Sequence, residues 1–278
     1  MIPSAPLAPS PSHASIPTGL TPREAFASLV REVRAEVDAR LSRILDDTRA
    51  QAATYGGDVA AMADGVRDLT LRGGKRLRAA LAVAAYRACG GATDGEAGAL
   101  DVGAALELLQ TYLLIHDDWM DNDDVRRGGP SVHAMLRVHF GSKDRGDWAG
   151  ILAGDLASAL CTEVVAKAAA PAPRVLAATV LFSQITRDAI FGQLLDIGAR
   201  AEDVETMHTL KTGSYTVRPE TLAAIQESLK AGRRVVHIAC HSFTPVLEGH
   251  VRAMDVGLLY DPRREAERRF GARSAPCF

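Results

Sequence analysis

The chain has 278 residues, 47% of them hydrophobic and 24% charged, which is enough apolar length to bury a large core in one or two domains. Its formal net charge of −2 excludes a non-specific nucleic-acid binder, which needs a basic surface, so any phosphate recognition must be local. Cysteines 89, 161, 240 and 277 lack the close pairing of a zinc motif, and reduced thiols in the cytoplasm are the expectation.

Residues 1–20, with prolines at 3, 6, 9, 11 and 17 among Ser and Ala, cannot bury enough apolar surface to fold and read as a disordered tail. The tail lacks the basic start and apolar core of a signal peptide. From Thr21 the pattern turns helical: Thr21 as N-cap, Pro22 at the first helical position and Glu24 three residues after the cap open a helix to about 47. Spacings near 3.6 place further helices at about 59–71, 75–89, 97–121, 130–139, 149–169, 172–199 and 202–216, with a loop over 141–147. None is expected to have the apolar length of a membrane span, so an integral membrane protein is not expected. With no alternating strand before Val217, the fold class is all-α: a helical bundle holding its site between helices.

The run LIHDDWMDNDDVRRGGP, residues 114–130, carries the chemistry. On a helix Asp117 and Asp121 stand one turn apart on one face, with Asp118 beside them, and oxygen ligands so arranged suit hard Mg²⁺. Arg126 and Arg127 follow as planar donors for phosphate oxygens. Carboxylates for a metal and guanidinium groups for an anion together suit a diphosphate. Alone, such a run at a helix end is as readily a solvated turn with surface salt bridges.

Four more blocks stand in order with it: GGKRLR at 73–78, GILAGD at 150–155, GQLLD at 192–196 and KTGSY at 211–215. Together the five resemble the trans-isoprenyl diphosphate synthases, or polyprenyl synthetase family, over about 21–218. The resemblance implies an isoprenoid-synthase-type bundle and a Mg²⁺-dependent prenyltransferase, usually a homodimer, joining isopentenyl diphosphate to an allylic diphosphate. It implies Lys75, Arg78, Gln110 and Arg127 at isopentenyl diphosphate, and Arg126 at the allylic diphosphate. Asp117 and Asp121 would be its metal ligands, Asp118 their support, and Lys211 with Thr212 would stand near the departing diphosphate. Gln193 and Asp196 would line the cavity. In the family the allylic C–O bond breaks, the double bond of isopentenyl diphosphate attacks the cation, and a proton is lost. Tyr112, five residues before Asp117, would obstruct the growing tail and limit the product to C15 or C20.

The pattern changes after Arg218. A second Asp-rich motif is expected there, yet the only aspartates after Pro219 are Asp255 and Asp261. Residues 219–278 read instead as a helix (PETLAAIQESLKA), a strand (RRVVHIAC) and a second apolar run (VGLLYDP), α/β grammar after an all-α chain. Residues 235–262 are similar to an internal piece of the N-formylglutamate amidohydrolase family, with His237 and His241 on one face of a strand. The expectation is therefore a synthase domain over 21–218, incomplete at its C-terminal end and impaired in turnover, followed by an unrelated segment over 219–278. A catalytically weak diphosphate-binding or partner subunit, and a metal-dependent hydrolase working through the tail, are the alternatives.

Overall fold

A computed structural model of the chain describes residues 22–198 and two short strands at 246–247 and 250–251. The predicted helix at 202–216 and strand at 233–240 lie outside the described residues. Two compact units divide the chain, Met1–Thr179 and Val180–Phe278.

Among the described residues, seven α-helices run in order: α1 (Pro22–Ala53), α2 (Gly57–Leu71), α3 (Leu77–Ala88), α4 (Glu96–Asp121), α5 (Val132–Phe140), α6 (Lys143–Ala166) and α7 (Ala172–Gly198). The all-α expectation holds. In the first unit α4 is the central element, flanked by α6, α3 and α1. α1, packed on α2, α3 and α4, buries Val33, Val37, Leu41 and Leu45, all at most 2% exposed and four residues apart, so that one stripe is buried. α6 approaches closely because Gly146, Gly150 and Gly154 repeat every fourth residue. A Cβ on Gly146 would lie 2.4 Å from the Arg137 backbone of α5, and one on Gly150 would lie 2.7 Å from the His133 Cβ.

Several boundaries differ from expectation. α1 continues past 47 to Ala53, where Arg67 on α2 reaches back to Asp46 at 2.6 Å and Arg49 reaches Asp64 at 3.0 Å, holding this polar stretch against α2. The loop expected over 141–147 shrinks, because Ser142 caps α6 by accepting from the Arg145 amide and Lys143 pairs with Asp147 one turn on. A two-stranded hairpin, β1 (Val125–Arg126) with β2 (Gly129–Pro130), was not expected. Its central residues Arg127 and Gly128 both have positive φ, 52° and 75°, as a type I′ turn requires. In the second unit β3 (Val246–Leu247) pairs antiparallel with β4 (His250–Val251).

The expectation about membrane spans also needs correction. Glu96–Asp121, Lys143–Ala166 and Ala172–Ile197 are each long and apolar enough to cross a membrane by length and composition. In α4 that apolarity is matched by packing, since 61% of its most apolar window is buried.

Candidate diphosphate site

Three segments of the first unit converge: the last turns of α4, the loop from α2 to α3, and the β1–β2 hairpin. Along α4, Glu107, Gln110, Asp117 and Asp121 fall on one side of the helix, within about 80° at 100° per residue. Asp121 is exposed and Asp117 half-buried. Asn122 ends the helix in a left-handed conformation, φ 58°, a common helix stop.

Asp118 behaves differently from its neighbours. It is fully buried and receives the Arg126 guanidinium, Nε to Oδ1 at 2.6 Å, with a second contact from Arg126 Nη2. Burial pushes its carboxyl above the ordinary aspartate range, against the pull of Arg126. Arg126 Nη2 also stands 3.9 Å from Asp117 and 3.4 Å from Asp123. Asp118 therefore holds the hairpin to α4, and Arg126 lies among carboxylates in this structure.

The C-terminal end of α2 joins the other two segments. A helix C-terminus presents unpaired carbonyls that attract cations, and here arginines take them. Arg127 Nη1 donates to Leu69 O at 3.1 Å and Arg76 Nη2 to Thr70 O at 2.8 Å. Arg72 donates to both Arg126 O and Pro130 O at 2.9 Å, tying the hairpin to α2. Arg72 fills the space a side chain at Gly129 would need, with Nη1 2.3 Å from such a Cβ. Gly74, φ 105°, lies between Arg76 and Arg127, whose Nη1 atoms stand 3.3 and 4.0 Å from its ideal Cβ position. Arg127 keeps an exposed surface while its guanidinium is drawn inward. Burial, then the neighbouring Arg76, holds its pKa below the usual arginine value, and Arg78 and Arg126 add to the effect. Such a concentration of positive charge suits an anion.

Lys75 is exposed in the loop, Arg78 is half-buried on the first turn of α3, and Gln110 is half-buried on α4. These join Arg126, Arg127, Asp117, Asp118 and Asp121 around the α2–α3 loop, hairpin and end of α4. Gln193 and Asp196 lie on α7 in the second unit. Lys211, Thr212, His237 and His241 lie outside the described residues. Arg72, Arg76 and Glu107 were missed. The signal for them was there: one anion cannot engage every cation of RGGKRLR, and Glu107 is a lone carboxylate inside the apolar run AALELL.

Among the described residues no group of three or more His, Cys, Asp or Glu side chains is disposed to hold a metal. Asp117 and Asp121 supply two carboxylates, which fits Mg²⁺ bound jointly with substrate phosphate oxygens and water, not an all-protein cage. Tyr112 is buried, 8% exposed, with its ring edge-on to His116 at 4.9 Å. His116 Nε2 lies 3.0 Å from Ile151 O and would collide with a side chain at Gly154, so the GILAGD block sets the place of the residue before Asp117. An open groove of about 480 Å³ between α1, α4 and α6 is lined by Ile44, Asp101 and Leu160. Asp101 is 16 residues from Asp117, about 24 Å along α4 at 1.5 Å per residue, so this groove is separate from the carboxylates.

The Polyprenyl synthetase family profile matches residues 60–241, running past Arg218. The chain is 31% identical over 191 residues to a geranylgeranyl diphosphate synthase of Methanosarcina mazei, covering 68% of this chain and 51% of that protein. It is 35% identical over 175 residues to a probable farnesyl diphosphate synthase of Sinorhizobium fredii, covering 58% and 49%. The crystal structure of geranylgeranyl pyrophosphate synthase from Corynebacterium glutamicum, complexed with isoprenyl diphosphate and magnesium, superposes with TM-score 0.61 at 28% identity, covering 69% of this chain and 59% of that one. The chain spans about half the length of the curated relatives it matches. With the helical architecture in agreement and the profile covering well over half of the sequence, the chain belongs to the polyprenyl synthetase family.

Proposed function

We propose that the chain is a Mg²⁺-dependent prenyltransferase condensing isopentenyl diphosphate with an allylic diphosphate to a C15 or C20 product. The observation that carries this reading is the gathering of Arg76, Arg78 and Arg126 around Arg127, beside the carboxylates that end α4. Names of relatives ending in geranylgeranyl and farnesyl diphosphate synthase support the short product, as does the buried Tyr112 before Asp117.

In this reading Lys75, Arg78, Gln110 and Arg127 bind isopentenyl diphosphate, Arg126 turns to the allylic diphosphate, and Lys211 with Thr212 stands near the departing group. Asp117 and Asp121 would hold Mg²⁺, which when bound supplies positive charge to the leaving diphosphate. Asp118 orients Arg126, and Gln193 lines the cavity. The allylic C–O bond breaks with its electron pair leaving on diphosphate, the isopentenyl double bond attacks the allylic carbon, and a proton is lost to restore a double bond. Fixed donors facing developing charge and an apolar surround that keeps water from the cation provide the acceleration. We place the protein in the cytoplasm as a homodimer, with the synthase domain over 21–218 and a separate segment over 219–278.

Residues 219–278 carry no second DDxxD, only Asp255 and Asp261, and we expect turnover at least about a hundredfold below that of a relative with both carboxylate walls. The same observation favours a second reading, a diphosphate-binding partner subunit with little turnover of its own. The test is incubation of the purified chain with Mg²⁺, labelled isopentenyl diphosphate and an allylic acceptor, beside calorimetry with isopentenyl diphosphate. Slow, Mg²⁺-dependent product is expected. Binding without product selects the partner subunit, and neither binding nor product rejects both readings.

A further inference from the structure

We propose that Arg76 and Glu107 form a buried positioning pair that locks the α2–α3 loop onto α4 and so sets Lys75, Arg78 and Arg127 around one diphosphate. The identity of that anion rests on the function proposed above; the pair itself rests on geometry.

Within GGKRLR, Arg76 is the residue turned inward. It is 3% exposed, and each guanidinium nitrogen has an acceptor: Nε donates to Asp38 Oδ1 at 2.7 Å, Nη1 to Glu107 Oε2 at 3.0 Å and Nη2 to Thr70 O at 2.8 Å. These acceptors come from α1, α4 and the end of α2, so one side chain ties three helices to the loop. A buried group anchored through all three of its nitrogens cannot swing toward a ligand without breaking a contact. Its backbone is left-handed, φ 52°, between Gly74 and α3. Branching away from that conformation would re-aim Lys75 on one side and the first turn of α3, with Arg78, on the other.

Glu107 is the partner that makes this expensive arrangement specific. It is 5% exposed, flanked on α4 by Ala104, Ala105, Leu108 and Leu109, all at most 2% exposed. Its Oε1 has no hydrogen-bond partner. A buried carboxylate with an unmet oxygen destabilises a fold in which an apolar residue would serve as filler. Its effect is local to the site: it neutralises Arg76 directly under Gly74, where Arg127 also arrives, and it tempers the repulsion that Arg76 exerts on Arg127. One turn further on, Thr111 accepts from Thr70 on α2 and donates to Glu107 O, which keeps the pair and the α2 terminus in register.

The test uses the full chain with two variants, Glu107→Gln and the double Arg76→Met/Glu107→Met. The double removes both charges at similar volume, a change buried ion pairs often tolerate, so it keeps the experiment informative where a single change unfolds the protein. Four readouts are compared: melting temperature, calorimetric affinity for isopentenyl diphosphate, the Michaelis constants of both substrates, and hydrogen exchange of the amides at 73–78. The expected result for the double is a folded protein whose isopentenyl diphosphate affinity falls about tenfold or more, the loss of one well-placed charged contact. The allylic Michaelis constant should stay within about twofold, and the 73–78 amides should exchange faster. A folded double variant with unchanged affinity and unchanged exchange overturns the proposal, as does a lowered melting temperature with both Michaelis constants intact. If the wild-type chain neither binds nor turns over isopentenyl diphosphate, the functional reading fails, while faster exchange at 73–78 still supports the pair and unchanged exchange still rejects it.

Discussion

Replacing Asp118 with Asn separates two roles that adjacent aspartates share in the same sequence motif. The carboxylate is fully buried and its partner guanidinium 28% exposed. Removing one member of a fully buried ion pair costs about 3–5 kcal/mol because the other charge is stranded. Arg126 is not stranded to that extent: it reaches some solvent and keeps Asp123 at 3.4 Å and Asp117 at 3.9 Å. The amide also sheds the cost of burying a charge. The expected loss is therefore about 1–2 kcal/mol, or roughly 2–8 °C in melting temperature for a domain of this size. Asp117→Asn, at a side chain 33% exposed, should cost less than about 0.5 kcal/mol. Urea unfolding of the two variants beside wild type measures the contrast. Equal stability of Asp118→Asn and wild type would refute the reasoning, because it would mean that the Asp118–Arg126 contact contributes nothing to the hairpin's attachment.

Asp117→Asn and Asp121→Asn should instead raise the Mg²⁺ concentration needed for half-maximal turnover, with little change in melting temperature; an unaltered Mg²⁺ titration would remove them as ligands. His133 is fully buried, and burial, aided by Arg137, holds its pKa below the ordinary histidine value. The folded state therefore favours the neutral ring, so its contribution is complete above the unfolded value of about 6.5 and declines as pH falls through that value. Unfolding between pH 7.5 and 5.5 should show this slope in wild type and a flatter one in His133→Phe. Among the described cysteines, Cys89 is exposed and Cys161 buried, and burial pushes the Cys161 thiol up to about 12. A maleimide at neutral pH should label Cys89 and spare Cys161 until the protein unfolds, as peptide mapping will show.

Helices with a strong apolar stripe were legible from the sequence. α2, α3 and α4 fall within two residues of their expected ends because Gly or polar turns bracket them. What escaped were features decided by a partner distant in sequence. The end of α1 is held by Asp64 and Arg67 on another helix, and nothing local to 47–53 announces them. The hairpin was missed because a type I′ turn usually shows Asn or Gly at its first central position, whereas Arg127 occupies it here. In the site, residue type and spacing identified the carboxylates and the cationic blocks, but not which member of each block turns inward. Asp118 and Arg76 are interchangeable with their neighbours by composition and are distinguished only once α2, α4 and the hairpin meet.

Arg127 occupies a backbone geometry in which glycine would rest without steric strain, while an L side chain gives up about 1–2 kcal/mol. Its φ is 52° and its guanidinium lies among other cations. Heat resistance and turnover therefore press on this codon in opposite directions. A mutant library screened only for survival at elevated temperature should enrich glycine at 127, whereas one screened for product should restore arginine, so the tolerated residue at this single turn reports which demand a lineage has been under.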